Sequence, residues 1–176
     1  KALVVGSTAA TLSGHAGEFT TLSSMNSSSA KYTTQYDAVG KFQGDILSLG
    51  NSPTVQNKLY YLSEAGHFGI AQANDDDTGA NQLLGIALNT NSTTHGMLRK
   101  GTIRITGSLV DDTMTIGAPV YMRSGTAGHY QFATPAKSED IVRQIGYCLD
   151  TNLGAGGQQS DMLLLFDPSD TYIEIA

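Results

Sequence analysis

Two histidines raise the first question of chemistry. His67 and His129 each follow an Ala-Gly pair, at 65–67 and 127–129. Matched imidazoles could ligate a metal, but no Cys or Glu cluster stands with them at metal-site spacing. The plainer reading is that each helps fix a hairpin turn. Asn74-Asp75-Asp76-Asp77-Thr78-Gly79 superficially resembles a calcium loop. It lacks the downstream bidentate Glu and the flanking helices of an EF-hand, so it reads as a solvated turn. Asp161, Asp167 and Asp170 could coordinate a cation at a trimer axis. Asp167-Pro168-Ser169-Asp170 is most simply a Pro turn with Asx capping.

Nucleophilic chemistry finds no support. There is no Gly-x-Ser-x-Gly elbow. Cys148, the single cysteine, rules out an intramolecular disulfide. It lies in the apolar run Ile145–Leu149 and reads as a buried, inert thiol. Paired carboxylates for glycoside cleavage cannot be placed, and Asp111-Asp112 reads as the start of a turn. Gly154-Ala155-Gly156-Gly157 lacks the Lys-Ser/Thr of a phosphate loop and opens no helix. Asn26-Ser27-Ser28 and Asn91-Ser92-Thr93 fit the glycosylation sequon, which a Ser/Thr-rich chain produces by chance. The expectation is a protein that is not an enzyme, with no catalytic residues, no cofactor and no bound metal.

The elements carrying these residues come in two copies. Residues 58–91 run Lys-Leu-Tyr-Tyr-Leu-Ser-Glu-Ala-Gly-His-Phe-Gly-Ile-Ala, a polar loop, then Leu-Leu-Gly-Ile-Ala-Leu-Asn-Thr-Asn. Residues 119–152 run Pro-Val-Tyr-Met-Arg-Ser-Gly-Thr-Ala-Gly-His-Tyr-Gln-Phe-Ala, a polar loop, then Gln-Ile-Gly-Tyr-Cys-Leu-Asp-Thr-Asn. Tyr60 matches Tyr121, Gly85 matches Gly146, and 89–91 matches 150–152, each 61 residues on. The Ala-Gly-His triplets are 62 apart, so one residue enters at the turn and leaves in the next loop. Self-similarity held through two apolar runs and a turn marks a duplicated β-unit, about 58–106 and 119–167.

Short runs with turn signals between them predict an all-β barrel or sandwich. Strands are expected at Ala38–Phe42, Asp45–Leu49, Lys58–Leu62, Phe68–Ala73 and Gln82–Leu88, with a further one formed by Gly96–Leu98 and Gly101–Thr106. They continue at Thr113–Ile116, Pro119–Arg123, His129–Ala133, Ile141–Leu149, Met162–Phe166 and Tyr172–Ile175. Ile103 and Ile105 should face inward, Thr102 and Arg104 outward. Gln82–Leu88 should be buried on both faces or stand at a barrel wall. Ser138–Arg143 is the one place for a helical turn.

Residues 1–40 differ from the body at 41–176. Ser and Thr make up about a third of them, and Leu3, Val5, Leu12, Phe19 and Leu22 show no helical period. Ala2–Val5 and Glu18–Leu22 could be extended. Alone, such a segment buries too little apolar surface to offset its ordering entropy. We expect an inter-subunit arm whose five apolar residues contact a neighbouring copy. The eight tyrosines, Tyr32, Tyr36, Tyr60, Tyr61, Tyr121, Tyr130, Tyr147 and Tyr172, suit core or subunit packing, with sugar stacking as the alternative.

At 176 residues and a net charge of −6, with Lys+Arg only 10, the chain is one domain with an arm. Its charge argues against nucleic acid and against an anionic membrane surface. No apolar run approaches the roughly 20 residues of a membrane span. The leading Lys-Ala-Leu-Val-Val-Gly is too short in apolar core for a signal peptide, and a cleaved one would already be gone.

Residues 58–176 resemble the β-domain of bacteriophage virion proteins, notably from marine and cyanobacterial phages. The resemblance rests on Leu83-Leu84-Gly85-Ile86-Ala87-Leu88, Leu98–Ile105, Gly117-Ala118-Pro119-Val120-Tyr121, Ile141–Leu149 and the ending from Phe166-Asp167-Pro168 to Ile173-Glu174-Ile175. Asp167 stands where that family commonly has Asn. Gly17-Glu18-Phe19-Thr20-Thr21-Leu22-Ser23 is similar to the repeats of fibre shafts. The resemblance implies a non-enzymatic trimer on a virion surface, as capsid decoration (cement) or a small tail-fibre subunit. Its partners would be major capsid or tail proteins, and a host surface glycan for an adhesin or receptor-binding tip.

Overall fold

The computed structural model describes residues 31–36 (backbone), 42–74, 81–151 and 161–176. The fold is all-β, a curled antiparallel half-barrel. In chain order the strands are β1 Lys31–Tyr36, β2 Phe42–Ser48, β3 Leu59–Leu62, β4 Phe68–Ile70, β5 Leu84–Ala87 and β6 Met97–Thr106. A 3-10 turn at Gly107–Leu109 follows. Then come β7 Pro119–Met122, β8 Tyr130–Gln131, β9 Ile141–Val142, β10 Gln144–Asp150, β11 Asp161–Phe166 and β12 Ile173–Glu174. Leu3, Val5, Leu12, Phe19 and Leu22, the extended pieces at 2–5 and 18–22, the Asp75–Gly79 loop and the glycines at 154–157 lie outside the described residues.

The main sheet runs β4-β3-β5-β6-β11-β10-β7-β8, with β2 also on β6 and β1 on β2. Each repeat contributes a hairpin and a return strand. In the first, Tyr60 pairs with Ile70; in the second, Tyr121 pairs with Gln131, 61 residues later on both strands. The extra residue read at the second turn is not accommodated as an insertion: the second strand of that hairpin slips by one, so Tyr130, aligned in sequence with Phe68, enters the main core while Phe68 lies in the smaller cluster.

The long strand β6 joins the halves. Its start pairs with β5 and its end with β11, while β2 lies along the other edge. Ile103 and Ile105 are buried and Thr102 and Arg104 lie on the opposite face, as the alternation requires. One expected break, at Gly44, is instead a crossing. Gly44 and Gly101 sit opposite each other within continuous strands. A Cβ on Gly44 would come 2.1 Å from the Lys100 carbonyl oxygen, and one on Gly101 2.1 Å from that of Gln43. Glycine here lets two backbones meet rather than turn.

Backbone bonds draw the two ends of the sheet together. Leu59 N–H donates to the Gly128 carbonyl (3.1 Å), Gly128 N–H to Ala71 (2.7 Å), Ala71 N–H to Leu59 (3.0 Å) and Ala73 N–H to Arg123 (3.0 Å). One hydrophobic core fills the concave side, shared by both repeats: Leu59, Ile86, Ile105, Met122, Tyr130, Phe166 and their neighbours. A smaller cluster, Tyr60, Phe68, Ala87 and Met97, lies on the convex side of the first repeat. β5 borders both clusters, so all four of its residues are buried, as expected of Gln82–Leu88.

Several expectations are corrected. Residues 31–36, placed in the arm, pair with β2 of their own chain from Lys31↔Ser48 to Tyr36↔Gln43, so this edge of the sheet begins before residue 41. Thr113–Ile116 forms no strand; Met114 packs on the core from an irregular segment instead. Ile141–Leu149 is not one strand. It divides at Arg143, and its first part pairs with β12 in a separate two-stranded sheet.

The helical turn considered for Ser138–Arg143 is absent, because Glu139 takes φ 68° and Ile141 enters β9. Arg143 is buried, 6% exposed, and its guanidinium donates to the carbonyls of Ser169 (2.8 Å) and Gln82 (2.5 Å). Burial pulls its pKa below the ordinary value, while Asp170 opposes that fall. Arg143→Ala should cost about 3 kcal/mol, since two buried charge-assisted bonds are lost together. The check is a urea unfolding midpoint, together with faster proteolysis near Tyr172.

Candidate interaction surface

The matched histidines do what turn residues do. His67 Nδ1 lies 2.6 Å from the Gly50 carbonyl, which can only accept, so that nitrogen carries the proton. His129 Nδ1 lies 3.2 Å from Asp111 Oδ2, which also takes Arg123 Nε at 2.9 Å. Asp112 accepts the backbone N–H groups of Phe132 (2.8 Å) and Ala133 (3.0 Å). The Asp111-Asp112 pair thus ties the loop before β7 to the β7–β8 hairpin. Among the described residues no group of three or more His, Cys, Asp or Glu could hold a metal ion.

The carboxylates considered for a cation do not converge within one chain. Asp161 and Asp167 stand at opposite ends of β11, about 20 Å of strand apart. Asp161 is paired with Arg104 at 2.7 Å and Asp167 with Lys100 at 2.9 Å.

Cys148 is fully buried. Burial pushes its thiol above the ordinary 9.0, with a weaker opposing bond to the Asp150 carbonyl. The raised pKa means stability is fully present below about pH 9 and is lost as pH rises through the folded value, because the unfolded thiol ionises first. At pH 8 a thiol-alkylating reagent should modify Cys148 no faster than the chain unfolds. Rapid labelling of the folded protein, followed by mass spectrometry, would contradict this.

The tyrosines divide. Tyr130 is fully buried and its hydroxyl donates to the Asn57 carbonyl at 2.6 Å. Tyr60 is buried, its hydroxyl accepting the Val55 N–H at 2.8 Å. Tyr147 and Tyr172 remain exposed.

Tyr147 belongs to a surface that the sequence pattern did not show. By the 61-residue offset it matches Ile86, and Leu149 matches Leu88, both of them core residues. In β10, however, the register slips at Gly146. Gln144 faces Tyr121, but Gly146 already faces Val120. A one-residue slip exchanges the two faces of a strand. Cys148 therefore enters the core, while Tyr147 and Leu149 turn outward, each 43% exposed.

Their outward neighbours are apolar. Tyr147 pairs with Pro119 on one side and Leu165 on the other. Leu163 and Leu165 are half-buried on the outward side of β11. Ile116, 54% exposed, precedes Gly117, whose N–H bonds the Cys148 carbonyl at 2.8 Å. The Arg104–Asp161 and Lys100–Asp167 pairs border the strip. A contiguous apolar patch rimmed by charge is the usual form of an interaction site. An isolated glycine inside an apolar run was the available signal for the slip.

No family model, curated protein or solved structure matches the chain.

Proposed function

We propose that this protein is a non-enzymatic structural component of a bacteriophage virion surface. It assembles as a homotrimer that decorates the capsid or forms a small tail-fibre subunit, in contact with major capsid or tail proteins. The observation that carries the reading is the outward apolar strip of Pro119, Tyr147, Leu149, Leu163 and Leu165, on the face of β10 and β11 opposite the main core. Such a strip suits permanent contact with protein better than turnover of a small substrate. The acidic charge and the strand-by-strand resemblance point the same way.

The test is localisation on purified virions with an antibody to this chain. Many copies over the shell would mean decoration, a few at the tail would mean a fibre, and absence from virions would overturn the reading. The native mass should be three times the 18.5 kDa of one chain. A second reading, a carbohydrate-binding adhesin, draws on the exposed rings of Tyr147 and Tyr172. A glycan array without binding at high protein concentration would remove it.

A further inference from the structure

The two repeats treat their convex faces differently. In the first, the segment before the hairpin, residues 50–57, folds across that face. Ser52 Oγ accepts the Phe68 N–H at 2.8 Å, Val55 N–H bonds the Tyr60 hydroxyl, and Ser52 and Thr54 become buried. The apolar cluster of Tyr60, Phe68, Ala87 and Met97 is thereby closed. In the second repeat the segment before the hairpin, residues 107–118, turns the other way. Leu109, Val110 and Met114 pack on the main core, and Asp111 N–H bonds the Tyr130 carbonyl. The convex face of β10–β11 keeps no cover from this segment, although the slip at Gly146 has made it apolar.

Resting on the assembly read above, we infer that this face is the acceptor for the leading segment Ala2–Val5 of a neighbouring copy, with Leu3 and Val5 as its anchors. In an extended chain residues two apart share a face about 6.6 Å from each other, as Leu163 and Leu165 do in the regular ladder of β11 on β6. The chain also leaves the body far from its own strip. Lys31 lies opposite Ser48, beyond the Leu47↔Met97 pair, whereas Leu165 and Leu163 pair with Thr102 and Arg104 towards the other end of β6. The 30 preceding residues could reach up to about 100 Å, ample for an adjacent subunit.

The experiment uses the full chain. Tyr147→Glu/Leu149→Glu and Leu3→Ser/Val5→Ser are compared with the parent by sedimentation across a concentration series. Each pair should raise the dissociation constant of the assembly at least about a hundredfold, with circular dichroism and thermal midpoint of the body retained. In a Cys148→Ala background, chains carrying Leu3→Cys are mixed with chains carrying Tyr147→Cys. A disulfide between unlike chains is expected.

If the linkage forms only within a single doubly substituted chain, the strip is covered in cis and the inference fails. If the arm variant dissociates but the face variant does not, this acceptor face is wrong while arm exchange stands. If the face variant alone dissociates, bodies meet directly and the inference fails. If neither dissociates, or the parent itself is a monomer, both this inference and the arm-exchange reading are overturned.

Discussion

Replacing Gly146 with valine should destroy the folded body. Gly146 lies at φ 159° between two strands, facing Val120 on one side and Phe166 on the other. A Cβ there would stand 1.9 Å from the Leu165 carbonyl oxygen and 3.0 Å from its carbon. Neither atom belongs to a flexible side chain, so the sheet itself must part. We expect a loss greater than about 4 kcal/mol, a large share of the roughly 5–15 kcal/mol that holds a domain of this kind together. The alternative for the strand is to undo the slip. That would turn Tyr147 and Leu149 inward and Cys148 outward, which is no better packed. Gly146→Ala carries the same first carbon and should fail nearly as badly. Gly125→Ala, where the nearest atoms are the Arg123 guanidinium nitrogens at 3.6 and 3.7 Å, should be close to neutral. Urea midpoints of the three variants provide the comparison. A Gly146→Val protein within about 1 kcal/mol of the parent would refute the assigned backbone.

Tyr130→Ala should cost about 4 kcal/mol, in the range for deleting a buried aromatic. Tyr130 is among the largest fully buried side chains of the described residues, and it sits where the repeats interlock. Its ring fills the shared core, its hydroxyl bonds Asn57 ahead of β3, and its backbone forms a parallel bridge with Val110. Removing the ring leaves a cavity and an unpaired carbonyl together. Tyr130→Phe removes only the hydroxyl and should cost about 1–2 kcal/mol. Comparing the two by thermal and urea unfolding separates ring from bond. The phenol is held neutral by burial, its pKa raised well above 10.0, so the parent loses stability as pH climbs past that ordinary value. Tyr130→Phe should lack this part of the alkaline decline. An equally steep decline in the variant would assign it elsewhere.

How much of this was legible beforehand differs by residue. Pattern alone sufficed for β3, β5 and β11, because their apolar runs are bounded by turn residues and their burial follows from composition. Both hairpins were legible too, since pairing across a short turn is a local matter, although the second strand of the later hairpin pairs one residue away from where the 62-residue offset of its turn puts it. Gly44 reads as a break between strands because a glycine that admits a neighbouring backbone is indistinguishable, in one dimension, from a glycine that turns the chain. The pattern puts Arg143 inside a strand, because nothing local reveals its two carbonyl partners, 26 and 61 residues away. The candidate surface was hidden for a related reason. Tyr147 and Leu149 look like core residues beside Ile86 and Leu88, and only the partner strand reveals that they point outward.

From its order of residues alone the chain declared an all-β class, a repeated pattern, a buried thiol and two histidines that secure turns. All of these depend on neighbours within a few positions, or on a pattern repeated at a constant interval. Tertiary structure decided where the halves interlock, which glycines mark crossings, and which face of β10 meets solvent. Those outcomes turn on contacts between strands far apart in the chain, where a one-residue shift in register changes the orientation of every side chain after it.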